Sequence, residues 1–103
     1  MTNFNVMLNT NDLKLGQSIA KNIRQRSGGL LGVQAMAFPH GETQVEVACN
    51  VDLFMFDEKN TAHVAALEQN QIINCYGNYF MTSFKYIQDV ITMMATIKGT
   101  IHK

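Results

Sequence analysis

Gln44-Val45-Glu46-Val47-Ala48-Cys49-Asn50-Val51 alternates side chains with a strict period of two. Successive side chains of a strand point to opposite faces, so Val45, Val47, Cys49 and Val51 share one face while Gln44, Glu46, Ala48 and Asn50 share the other. The first set suits a core. The second is too polar for a core and too small-chained for an ordinary surface. The run extends from Thr43 to about Asp52, and it specifies a strand with one buried and one open side.

Upstream, Val33 to Phe38 is a shorter apolar run, and Pro39-His40-Gly41-Glu42 has turn chemistry, so the two runs form a hairpin. Nearer the start, Phe4, Val6 and Leu8 alternate with Asn5, Met7 and Asn9 as a first strand. Thr10, Asn11 and Asp12 each carry an oxygen able to accept the orphan amides of a helix start. In that helix Leu15, Ile19 and Ile23 recur every four residues beside Gly16 and Ala20, while Lys14, Lys21, Arg24 and Arg26 fall largely on other faces. Gly28-Gly29 is expected to end it by adopting left-handed geometry.

Downstream, residues 53–82 show the least regular pattern: an apolar Leu53-Phe54-Met55-Phe56, a short helix over Ala62–Gln69, and a turn at Tyr76-Gly77-Asn78-Tyr79. Ser83 is suited to cap a second long helix with Ile87, Val90, Ile91, Met94 and Ile97 as its buried stripe and Gly99 as its stop. The order strand, helix, strand, strand, helix, with the last strand short or missing, predicts an α+β, ferredoxin-like βαββα(β) sandwich. Its antiparallel sheet carries both helices on one face and leaves the other free. Residues 1–103 are expected to form a single domain with an irregular insertion at 54–82, and a stunted last strand would expose a sheet edge to another chain.

Composition narrows the function. The 103 residues balance eight basic against eight acidic side chains, so bulk charge gives no attraction to nucleic acid or an anionic membrane. Hydrophobic residues make up 47% and charged ones only 16%, against roughly 25% charged in an average domain; so charge-poor a surface fits one that partly faces another domain or subunit. No apolar run approaches the roughly 18 residues of a membrane span, and the start lacks the pattern of a signal peptide, so the protein is expected to be soluble and cytoplasmic. Cys49 and Cys75 form no CxxC or Cys/His array, which argues for reduced thiols and no metal.

Most single-residue candidates have a plain structural role. Gly28, Gly29 and Gly32 follow a helix and precede no Lys-Ser/Thr pair, so they suit a helix stop and turn instead of a phosphate loop. His40, His63 and His102 have no metal-ligand spacing and suit surface or turn positions. Cys49 lies on the apolar face of its strand as a small hydrophobe, and the seven methionines suit core filling. The basic residues of the first helix suit a solvated face. RNA binding on such a sheet needs stacking aromatics on its middle strands, and Gln44–Val51 has none. An amino-acid-binding domain commonly has glycine in the first strand-to-helix loop, which Leu8-Asn9-Thr10-Asn11-Asp12 lacks. The open face remains: Asn5 and Asn9 with Gln44, Glu46 and Asn50, amides and one carboxylate suited to a flat, hydrogen-bonding ligand such as a pterin, an amide or an amino acid. An ordinary solvated sheet face is the competing interpretation.

Phe4-Asn5-Val6-Met7-Leu8-Asn9-Thr10, Gly16-Gln17-Ser18-Ile19-Ala20-Lys21-Asn22-Ile23-Arg24, Ser27-Gly28-Gly29-Leu30-Leu31-Gly32-Val33-Gln34-Ala35-Met36 and the 44–51 strand together resemble the second subdomain of glutamate formiminotransferases, over about the first half of the chain. The resemblance implies a folate-linked transferase that moves a formimino group between formiminoglutamate and tetrahydrofolate, with substrates between two facing subdomains and no metal. Asn5 and Asn50 match family asparagines, Glu46 stands where many relatives carry glutamine, and Gln44 lies on the same face, so Asn5, Gln44, Glu46 and Asn50 are the expected substrate and folate site. The family's catalytic histidine belongs to the first subdomain, so no catalytic residue is assigned here. A first subdomain or a second copy of the chain is the implied partner; the alternative is a non-catalytic interaction or dimerisation module.

Overall fold

The computed structural model describes residues 1–55 and 70–101. In chain order they form β1 (Thr2–Leu8), α1 (Leu13–Ile23), a 3-10 turn (Gln25–Ser27), β2 (Val33–His40), β3 (Gln44–Val51), β4 (Phe54–Met55), β5 (Ile72–Tyr76), β6 (Tyr79–Thr82) and α2 (Phe84–Ile101). The expected helix over Ala62–Gln69, with His63 and His102, lies outside the described residues.

The 44–51 alternation is the organising feature. As β3 it is the middle strand of an antiparallel sheet ordered β1-β3-β2. Val45, Val47, Cys49 and Val51 are buried, and residues 44, 46, 48 and 50 are half-buried. The buried set joins Val6, Leu8, Val33 and Ala35 from the flanking strands, Leu15, Ile19 and Ile23 from α1, and Ile87 and Ile91 from α2 in one core. Both helices therefore cover one sheet face, as in a ferredoxin-like α+β sandwich. Each of the fully buried isoleucines contributes about 1.5–3 kcal/mol of apolar burial.

Asp12 caps α1, its Oδ1 accepting from the Leu15 amide at 3.2 Å. The helix ends earlier than the sequence suggests. It stops at Ile23, Arg24 is extended with ψ 142°, and the Leu30 amide donates back to the Ile23 carbonyl at 2.7 Å. Gly28, with φ 84°, closes the 3-10 turn and not the helix itself. The hairpin turn is also shifted: Pro39 and His40 belong to β2, opposite Val45 and Gln44, and the chain reverses at residues 41–43. Proline is tolerated there because β2 lies at the sheet edge.

Of the stretch from 53 to 82, the described residues 53–55 and 70–82 are more regular than the sequence implies. β4, β6 and β5 make a second antiparallel sheet in that order, with Phe54 stacked on Phe80 at 6.4 Å. The Tyr76–Tyr79 turn forms as expected. Ile72 is the one buried residue of β5, so no alternation marks the strand. Thr82 Oγ1 ties this sheet to the rest by donating to the Leu31 carbonyl at 2.7 Å, and the Ser83 amide, donating to the Gln71 carbonyl at 2.8 Å, continues the β5–β6 pairing.

Ser83 Oγ accepts from the Tyr86 amide at 3.3 Å and caps α2. Ile87 and Ile91 are buried and Phe84 stacks on Phe4 of β1 with ring centroids 4.8 Å apart. The expected stripe is shorter than drawn, because Val90 and Met94 are half-buried and Ile97 is 52% exposed. Gly99 does not stop the helix, which runs through Ile101; Gly99 lacks the positive φ that such a stop requires. Among the described residues no strand follows α2 and no helix is long and apolar enough to cross a membrane.

Candidate functional site

The sheet face away from the helices carries the alternate residues of all three strands. β1 presents Asn3, Asn5 and Met7, β3 presents Gln44, Glu46, Ala48 and Asn50, and β2 presents Gln34, Met36, Phe38 and His40. In register, Asn50 stands between Asn3 and Gln34, Ala48 between Asn5 and Met36, and Glu46 between Met7 and Phe38. All four expected site residues, Asn5, Gln44, Glu46 and Asn50, are thus on the open side. They are not gathered at one point. Gln44 and Asn50 are six residues apart on an extended strand, about 20 Å. Gln44 is already engaged, its Nε2 donating to Asn9 Oδ1 at 3.0 Å.

The concavity on this face lies at its Asn50 end. An open groove of about 780 Å³ runs between the 3-10 turn and the start of β2, lined by Arg24, Arg26, Gln34, Met36, Phe38 and Asn50 among others; its size falls within the roughly 300–1,000 Å³ of small-molecule sites. Of the four expected residues it takes only Asn50. Asp52 stands on the same lining.

The groove exists because α1 stops at Ile23. Gly29 then passes so close to the helix end that an added Cβ would sit 2.4 Å from the Ile23 carbonyl. Gly32, with φ 72°, comes equally close to the Asp52 carbonyl, and its own carbonyl accepts from the Asp52 amide at 2.8 Å. Gln25 fastens the turn to β2, its Oε1 accepting from the Gly32 amide at 2.7 Å. The glycines therefore serve a tight return, as their position after a helix implies. Arg24 is half-buried, and its Nε donates to Ser27 Oγ at 3.2 Å. Among the described residues no carboxylate lies within 4.0 Å of either arginine.

Arg24 and Arg26 are the residues that periodicity misassigns. Continuing the helix to Gly28 puts them on a solvated helical face; ending it at Ile23 puts them on the groove wall. Met36 and Phe38 are equally hidden, since Val33 to Phe38 reads as a short apolar run, yet Met36 is 62% and Phe38 43% exposed on the open side. His40, expected in a turn, ends β2 opposite Gln44 on the open side.

The remaining chemistry-bearing groups are quiet. Cys49 is buried, and desolvation pushes its thiol up to about 11, as suits a packing residue. Cys75 is free and exposed. Among the described residues no group of three or more His, Cys, Asp or Glu could hold a metal ion.

No protein-family profile and no solved structure matches the chain. It is similar to a formiminotransferase cyclodeaminase-like protein of Arabidopsis thaliana, 49% identical over 51 residues, which is 50% of this chain and 17% of that protein. The match therefore spans about a sixth of the relative, and it is a likeness to a formiminotransferase cyclodeaminase-like protein over half of this chain.

Proposed function

We propose that the chain is the folate-site half of a formiminotransferase-type site, catalytically incomplete alone. Tetrahydrofolate would lie against the open sheet face, with formiminoglutamate between this face and a first subdomain or second copy. The observation that carries this proposal is the groove where Asn50 and Gln34 amides meet Arg24 and Arg26 over Met36 and Phe38. The likeness to the Arabidopsis protein supports it. Asn5, Gln44 and Glu46 would extend the contact along the sheet. The group's flat hydrogen-bonding ring suits amide side chains, and this chain's contribution is binding and orientation. Proton transfer needs a positioned acid or base from the partner half, so no residue here is assigned that role.

The test pairs titration with an assay. Tetrahydrofolate added to the chain should bind saturably, Asn50→Leu should weaken that binding about 2- to 13-fold, the loss of one hydrogen bond, and the chain alone should show no formimino transfer. A flat titration overturns the proposal, and so does turnover by the chain alone. A second reading, a non-catalytic interaction module, draws on the exposed Met36 and Phe38. Light scattering that finds a dimer indifferent to tetrahydrofolate would favour it.

A further inference from the structure

We infer that the outward face of the small β4-β6-β5 sheet is a contact surface for a second copy of this chain, the two small sheets packing face to face about a two-fold axis. This contact is distinct from the folate site: it lies on another sheet and leaves the open face of β1-β3-β2 free.

The register divides the small sheet into two unlike sides. Ile72 stands opposite Thr82 and Phe54 opposite Phe80; on that side Ile72 and Thr82 are buried, the two phenylalanine rings stack, and Thr82 is tied to Leu31. The other side carries Met55 and Tyr76 opposite Tyr79, and Ile73 opposite Met81. An antiparallel sheet with one side on a core commonly turns polar side chains to water on the other. Here all five are apolar or aromatic, Met81 is half-buried and the rest are exposed, Tyr76 by 81%. Leu53, two residues before Met55, is exposed as well. At side-chain areas of roughly 150–250 Å² each, they expose on the order of 500 Å², a patch among the largest that soluble monomers leave uncovered. Two such patches bury about 1,000 Å² in total, where specific interfaces begin.

Charge identifies the occupant. Residues 70–84 contain no Asp, Glu, Lys or Arg, so a charged surface docked there would lose its hydration with nothing to pair with. A second copy brings an equally uncharged face. The whole chain balances eight basic against eight acidic side chains, so two copies approach without net repulsion. A two-fold contact sets the same patch against itself, and rings and thioethers pack well on one another, with the phenol hydroxyls reaching the wet rim. The patch is also rigid before contact. Asn74 Nδ2 donates to the Gly77 carbonyl at 2.8 Å, which fixes the turn between Tyr76 and Tyr79, so little ordering is lost on association.

The experiment is sedimentation velocity of the full chain over a hundredfold range of concentration, which should show a species of twice the single-chain mass that dissociates on dilution. Ile73→Thr combined with Tyr76→Thr keeps strand-forming residues and removes apolar surface, so the dimer should weaken at least tenfold. Met36→Gln, on the open face, should leave it unchanged. Circular dichroism shows that each variant is folded. A second readout needs no variant: the chain has three tyrosines and no tryptophan, and Tyr76 and Tyr79 lie in the contact, so acrylamide quenching of tyrosine emission should increase as the native dimer dissociates. A chain that stays monomeric overturns the inference, as does a dimer that the folded double variant leaves intact, or quenching that is the same in dimer and monomer. A dimer broken by Met36→Gln also overturns it, and places the contact on the open face. So does a monomer that floats with neutral phosphatidylcholine vesicles, which makes a lipid surface the occupant. Tetrahydrofolate titration is independent: a dimer on the small sheet whose open face binds no folate overturns the folate proposal and leaves this inference standing.

Discussion

Gly29 lies against the carbonyl of Ile23 so closely that a methyl group on its Cα would sit 2.4 Å from both the carbon and the oxygen. This approach folds the chain back immediately after α1, and the return places Arg24 and Arg26 beside the open face of the sheet. A backbone contact inside the fold thus positions the charged wall of the groove.

Gly29→Ala should therefore destabilise the chain by about 1–3 kcal/mol, the usual range for a substitution that forces backbone to move. Gly28→Ala is the control: its φ of 84° is strained for alanine, but nothing lies within 4 Å, so the cost should be about 1 kcal/mol. Urea denaturation of the two variants measures the difference. Equal effects would mean that the contact with Ile23 is relieved without cost.

The thiol of Cys49 gives a pH dependence with a definite sign. Burial raises it from 9.0 to about 11, so above pH 9 the unfolded chain has lost a proton that the folded chain keeps. Stability falls as pH rises from about 9 to 11, by up to about 2–3 kcal/mol. Denaturation midpoints of the native chain and Cys49→Ala across that range test it, and the slope should be shallower in the variant. At pH 8, alkylation should label exposed Cys75 and reach Cys49 only on unfolding.

Buried Thr82, at the end of β6, ties the second sheet to the turn before β2 through its hydroxyl, which donates to the Leu31 carbonyl at 2.7 Å. Thr82→Val keeps the shape and strands that carbonyl, a loss of about 1–3 kcal/mol. Thr82→Ser keeps the bond and should lose less. Thermal melting ranks them, and equal losses would assign the effect to the missing methyl contact.

The parts of the fold that are legible in the sequence are those where one face is buried. Val45, Val47, Cys49 and Val51 alternate because α1 and α2 cover only their side, and Leu15, Ile19 and Ile23 recur at helical spacing for the same reason. β5 lacks that constraint, with only Ile72 buried, and its strand leaves no pattern. The candidate site is half legible. Asn50 follows from alternation, but the arginines depend on where α1 ends, a matter settled by the backbone contact of Gly29 and not by any side-chain period. Met36 and Phe38 read as core because hydrophobicity alone does not tell which side of an edge strand is covered.

The two faces of β3 can be separated by one pair of variants. Val47 is fully buried in the core on the helix side of the sheet, so Val47→Asp sets an unpaired carboxylate there. Its desolvation costs more than the roughly 5–15 kcal/mol stability of a small domain can absorb beyond a few units, and the chain should lose cooperative melting. Asn50 is half-buried on the open side, between Asn3 and Gln34. Asn50→Leu removes a polar group from the groove lining without creating a cavity, so its melting temperature should stay within a few degrees of native, a change of about 0.5 kcal/mol or less. Circular dichroism melts of both proteins decide the matter. An unfolded Asn50→Leu beside a well-folded Val47→Asp would mean that the strand register is displaced by one residue, which would turn the groove side of the sheet toward the helices.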